Sequence, residues 1–165
     1  MTGTSRWALP LLDAGQAQKE MTHNEALALL DLLVSAGVQA VGLDAPPPAP
    51  LAGQAWVVGA APTGDWAGHP HALAGWTAGG WRFVPPREGL AVWSVSDAVS
   101  ATYAGGQWRI GHIAATAVTI SGVAVVGARQ PAIATPSGGA TADAEARAAV
   151  AEMLAALRAH GLIAA

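Results

Sequence analysis

The chain has 165 residues, the size of one domain or of one domain with an attached tail. Eight Lys and Arg against eleven Asp and Glu give a net charge of -3, with charged residues at only 12%, which excludes a duplex nucleic-acid binder with its basic footprint. A hydrophobic share of 52% and a mean hydropathy of +0.36 exclude a disordered polypeptide, and the absence of cysteine excludes disulfides, thiol nucleophiles and Cys-based zinc sites. So weakly charged a surface implies that part of the apolar area is covered by another subunit.

The first twelve residues carry one Arg and a short apolar stretch broken by Pro10, so no secretory leader is expected. Thr22-His23-Asn24-Glu25 fits a capping box, in which Thr22 accepts from the Glu25 amide and Glu25 returns the bond. Ala26, Leu27, Leu30, Leu33 and Val34 follow at helical spacing and Gly37 is a natural stop, so a helix is predicted from about 22 to 35. Val38 to Leu43 reads as one short strand, and the prolines from Pro46 to Pro50 as a stiff connector. The apolar run 26–43 contains Asp31 and Gly37, and the run 113–128 falls short of the roughly 20 residues of a span, so no membrane span is expected.

Residues 46–112 hold six of the seven Trp, the one Tyr and the one Phe. This region reads as short strands: Ala55–Gly59, Leu73–Trp76, Trp81–Val84, Leu90–Val95, Ser100–Tyr103 and Trp108–His112. Trp76-Thr-Ala-Gly-Gly-Trp81-Arg82-Phe83 is echoed by Tyr103-Ala-Gly-Gly-Gln-Trp108-Arg109-Ile110. Each copy predicts a hairpin with a glycine turn and facing aromatics. Beyond it, Val118 to Val126 is β in type, and 128–134 is expected to be another extended segment. Thr141 or Asp143 caps a last helix closed by Gly161. Val150, Met153, Leu154 and Leu157 form its narrow apolar stripe, onto which Leu162 and Ile163 can fold back.

Chemistry-bearing motifs are sparse. His69-Pro70-His71 with Asp65 nearby could hold a metal, but no third ligand is specified and exposed loop histidines are the simpler reading, so no metal and no cofactor are expected. No Ser lies in a G-x-S-x-G elbow, no P-loop or G-x-G-x-x-G occurs, and the carboxylates form no local pair, so the chain is not expected to be an enzyme. The Trp cluster has two readings. It fills the core of a small β domain, or it presents faces on which sugar rings stack. On the second reading Trp66, in a Gly/Asp loop, is the exposed platform, and Asp65, His69 and Trp76 complete a glycan site. Gln16-Ala-Gln-Lys-Glu20 either bonds backbone groups of a neighbouring segment or faces solvent.

One stretch is specific enough to suggest a family. Leu12-x-Ala-Gly-Gln-x-Gln-Lys-Glu-x-Thr-x-Asn-Glu-Ala26 resembles the opening of an uncharacterised domain family of tailed-phage and gene-transfer-agent structural proteins of alphaproteobacteria. Gly64-Asp-Trp-Ala-Gly68, Ala74-Gly-Trp76, Gly80-Trp-Arg-Phe83, Pro86-Arg-Glu-Gly89 and Val92-Trp93 extend the resemblance over roughly residues 7–110. The ending, from Val125 to Ile133 and through Gly161-Leu-Ile163, is similar to tails that often follow this domain and to the ends of phage fibre-like proteins. The resemblance implies a virion component, a head spike or tail-fibre element, and supplies no catalytic residue.

These readings combine into an α+β fold: an N-terminal helix packed on a small Trp-rich antiparallel β domain (residues 1–112), then a β segment and a C-terminal amphipathic helix (113–165) for oligomerisation. The expected function is structural: a subunit on the surface of a phage or gene-transfer-agent particle, attaching it to a host surface or to another virion protein. The expected partners are other virion proteins, host polysaccharide, and two further copies in a homotrimer joined through Val150, Met153, Leu154 and Leu157. A stand-alone carbohydrate-binding module is the alternative, and a cell-wall or capsule hydrolase the third reading.

Overall fold

The computed structural model describes residues 3–12, 15, 19–34, 36–139 and 143–164. The chain divides into two compact units, Met1–His112 and Ile113–Ala165. The architecture is α+β, with a helix at each end and antiparallel-rich sheets between.

The first unit opens with helix α1, Lys19–Leu33. This helix begins before Thr22, so Thr22 lies inside it and is not its cap, and the predicted capping box does not form at its start. The Ser/Thr-x-x-Glu pattern also occurs within helices, and here Glu25 is drawn to a tertiary partner, pairing with Arg82 at 2.7 Å. Ser35, the last residue of the predicted helix, and residues 16–18 of the polar stretch lie outside the described residues.

The segment predicted as one strand is two: β1, Gly37–Val38, and β2, Val41–Leu43, which belong to different sheets. Gln39 and Ala40 carry the chain from one sheet to the other. Ala40 remains bonded to the second sheet, accepting from the Val57 amide. Strands β3 (Ala55–Val58), β4 (Leu73–Thr77) and β5 (Gly80–Val84) then form an antiparallel meander, joined along β3 by β2 in parallel. Strands β6 (Ala91–Ser94), β7 (Val99–Ala104) and β8 (Gln107–Ile110) form a second meander, joined along β6 by β1 in parallel.

The internal echo is therefore larger than a hairpin. Trp76 faces Trp81 across the first hairpin and Tyr103 faces Trp108 across the second, with ring centroids 5.0 and 5.6 Å apart. Carried outward through the register, Ala74 corresponds to Ala101 and Trp56 to Val92. In the second turn Gly105 and Gly106 both take positive φ, the geometry a two-residue hairpin turn demands.

The two meanders share one core. Ala55, Val57 and Leu73 from the first pack with Val92 and Ala101 from the second, together with Val38, the helix residue Leu32, and Ala36 just before β1. Gly75 admits the helix: a Cβ there would overlap Leu32 Cδ2. On the other face of the first meander, Trp56, Val58 and Ala74 form a second core with Trp66, which a single 3-10 turn, Gly64–Trp66, carries inward.

In the second unit the predicted strand from 118 to 126 is a hairpin: β9, Val118–Ile120, and β10, Val123–Val126. Ser121 and Gly122 both have positive φ and make the tight turn that divides it. The expected extended segment at 128–134 contributes one bridge, from Gln130 to Ile163. Helix α2, Ala144–Ala159, is capped by Asp143, whose carboxylate accepts from the Ala146 amide at 2.9 Å, and Thr141 lies outside the described residues. After α2 the chain reverses at Gly161 with φ +72; Ile163 is buried and bridges Gln130, while Leu162, also expected to fold back on the helix stripe, is exposed.

Candidate functional site

The aromatic region is built on the outer face of the first meander. Strand alternation sends Trp56, Ala74, Trp76, Trp81 and Phe83 to this face and Val57, Leu73 and Val84 to the other. Trp81 is the hub. Its ring lies 5.6 Å from Trp56, 5.3 Å from Trp66 and 5.0 Å from Trp76, all at steep angles between 68° and 81°. Such edge-to-face pairs are worth about 0.5–1.5 kcal/mol each beyond their burial.

Trp66 is not the exposed platform that its Gly-rich surroundings suggested. It is 0% exposed and is the largest fully buried side chain among the described residues. The reason is local: Gly64 takes φ +57, the 3-10 turn follows, and the amide of Ala67 returns to Gly64 O at 3.1 Å, folding the indole inward. Its neighbour Asp65 stays exposed. His69 is exposed too, but stacks flat on Phe83 at 3.8 Å and 2°. His71 turns elsewhere, near Tyr103, and its carbonyl accepts from Trp108 Nε1 at 2.8 Å. The two histidines therefore serve different rings, and among the described residues no group of three His, Cys, Asp or Glu is placed to hold a metal.

Two of the four predicted glycan-site residues do come together. Asp65 and Trp76 line one groove with Trp81 and the proline connector, Pro46–Pro48 and Pro50, enclosing about 340 Å³. Trp76 and Trp81 are both half-buried, so part of each ring remains accessible. Asp65 makes no ion pair among the described residues. The groove thus has two π walls at 68°, an apolar proline wall and one carboxylate. Trp66 and His69 are not among its lining residues.

A second polar centre escaped the sequence reading. Asp31, 3% exposed on α1, accepts from Thr4 Oγ1 at 2.6 Å, the Arg6 amide at 2.9 Å and the Trp7 amide at 2.8 Å. Arg6 then donates to Leu32 O and Gly37 O, each at 3.1 Å, and Trp7 Nε1 to Val34 O at 2.9 Å. The bonds to Leu32 O and Val34 O satisfy carbonyls that a helix end leaves orphaned. Burial lowers the pKa of Arg6, partly offset by the charge of Asp31. Asn24 binds Leu12 through both its amide and its carbonyl, at 3.0 and 2.9 Å. Asn24, from the N-terminal motif, thus holds Leu12 against α1, and Asp31 holds Thr4, Arg6 and Trp7. The readable signal was a lone Asp within an apolar helical run.

In the second unit, of the four residues expected at an oligomer interface, Leu154 is buried within the unit, Val150 and Leu157 are half-buried and Met153 is 58% exposed. Leu154 is buried because α2 packs within its own unit. Arg158 Nη2 donates to Ile133 O at 2.6 Å and Arg129 Nε to Ile163 O at 3.0 Å. The hairpin β9–β10, by contrast, has no buried residue. Ile120 pairs with Val123 and Val118 with Val126, and all four side chains are exposed.

A family match covers most of the first unit. The model of a family described as "Protein of unknown function (DUF2793)" covers residues 23–109, from within α1 into β8, and the chain belongs to that family. No curated protein matches the chain. Among the described residues no helix is long and apolar enough to cross a membrane.

Proposed function

We propose that this DUF2793 chain is a structural subunit on the surface of a phage-like particle, a head spike or tail-fibre element, assembled as a trimer through residues 113–165. The reading is supported first by the likeness of Leu12 to Ala26 to such proteins. The observation that carries it is the exposed hairpin. A two-stranded hairpin is marginal alone and needs a further layer. In this unit Val118, Ile120, Val123 and Val125 of the hairpin, Ile113 and, on α2, Met153 stand open. Val126, Ile133 and Leu162 bring the large exposed apolar side chains among the described residues of this unit to nine, the kind of surface that marks an interface. No charged residue occurs from 113 to 128 to oppose association.

The groove of the first unit, at Trp76, Trp81 and Asp65, is then the contact with a host surface or a neighbouring virion protein. No catalytic role is proposed. The assembly claim is tested by light scattering on the full chain and on Ile120→Asp with Val123→Asp. A trimer that becomes monomer in the double variant supports it. A monomeric wild type, or a variant that keeps the trimer, refutes it. Saturable binding to polysaccharide by a monomer would favour the stand-alone carbohydrate-binding module instead, and turnover of the polysaccharide a hydrolase.

A further inference from the structure

The geometry points to a quaternary ammonium group, carried on a surface polymer, as the ligand of the groove formed by Trp76, Trp81, Asp65 and the prolines 46–50. The inference rests on the groove being the contact surface proposed above and names what it takes.

Charge decides the ligand class. The groove's side chains offer two indole rings, four prolines and one carboxylate. Proline has no backbone N–H, so this wall donates no hydrogen bonds. No Lys, Arg or His lines the groove, and Asp65 forms no ion pair among the described residues. The faces of two indoles and a carboxylate all carry negative potential, so a cation is the complement. Trp76 and Trp81 pack edge to face at 68° and 5.0 Å, so they meet as a corner and not as a flat platform for a sugar ring. A sugar needs donors for its hydroxyl oxygens as well as acceptors, and among the groove's side chains only the indole N–H groups could donate. A primary ammonium has three N–H groups to satisfy and is strongly hydrated. One carboxylate and apolar walls suit a methylated ammonium, which carries charge without donors. About 340 Å³ leaves room for the head group and the first atoms of its chain.

The inference is tested on the full chain by calorimetry and by the indole N–H resonances of Trp76 and Trp81. The probes are choline, its uncharged isostere 3,3-dimethyl-1-butanol, n-butylammonium and N-acetylglucosamine. Choline is expected to bind saturably, shift both resonances, and bind about tenfold more tightly than the neutral alcohol. Asp65→Asn, at an exposed position, is expected to keep the wild-type melting temperature and to weaken choline binding about fivefold or more. Equal binding of the neutral alcohol, equal or tighter binding of n-butylammonium, unchanged affinity in Asp65→Asn, or no saturable choline binding would each overturn the inference. Binding of N-acetylglucosamine without choline would overturn it while leaving the groove as the host contact. Light scattering on the same samples reports assembly separately.

Discussion

Replacing Asp31 should cost the first unit more than any other single polar change. The carboxylate is 3% exposed and accepts three hydrogen bonds, from Thr4 Oγ1 and the amides of Arg6 and Trp7. Asp31→Ala removes every acceptor and leaves these donors facing an apolar cavity. It also removes the charge that offsets the burial of Arg6. A buried donor left unpaired costs about 1–3 kcal/mol, and three donors lose their acceptor. The three losses overlap, because the N-terminal segment can detach and rehydrate its donors, so the expected loss is about 3–5 kcal/mol. That is a large share of the ~5–15 kcal/mol that holds a domain together. Asp31→Asn keeps one oxygen but turns an NH₂ toward existing donors, and should lose about 2–4 kcal/mol. Urea unfolding followed by tryptophan fluorescence reads both values. A loss below about 1 kcal/mol in Asp31→Ala would mean that the segment 3–12 contributes nothing to the stability of the unit, and the clamp argument fails.

Three further substitutions separate the packing claims. Gly75→Ala should destabilise by about 1–3 kcal/mol, since the new methyl meets a buried Leu32; an unchanged denaturation midpoint would place α1 further from β4. Trp66→Ala should lose about 3–5 kcal/mol, because the indole is a buried core side chain, and a melting temperature near wild type would contradict its burial. Thr22→Ala, at an exposed site inside α1, should shift stability by no more than about 0.5 kcal/mol, and a loss of about 1 kcal/mol would restore the capping role.

The sequence pattern was most informative where local geometry and burial agree. Six strands of the first unit were legible from alternation and glycine turns, and the facing of Trp76 with Trp81 and of Tyr103 with Trp108 was legible from the repeat itself. Asp143 was legible as one of two candidate caps, with Thr141, and its carboxylate bonds the local Ala146 amide. Tertiary demand defeated the rest. Glu25 reaches Arg82 instead of closing a capping box. Trp66 sits among residues typical of exposed loops, yet the open face of a Trp-rich sheet draws it inward. The crossing from β1 to β2 leaves no mark in a run of small and apolar residues. Ser121-Gly122 was a readable turn signal masked by the β-branched residues around it. At the groove, Asp65 and Trp76 were found from composition. Trp81 and the prolines joined them only through the fold, which returns β5 and the connector to one place.

The central claim, membership of a phage-like particle's surface, is tested most directly by purifying particles from a producing culture and locating the chain with antibody-gold labelling. The account predicts gold at a fixed site on the outside of intact particles, with chain abundance in a small whole-number ratio to a capsid or tail protein. Particles that carry no label, with the chain remaining in the particle-free fraction, would contradict it.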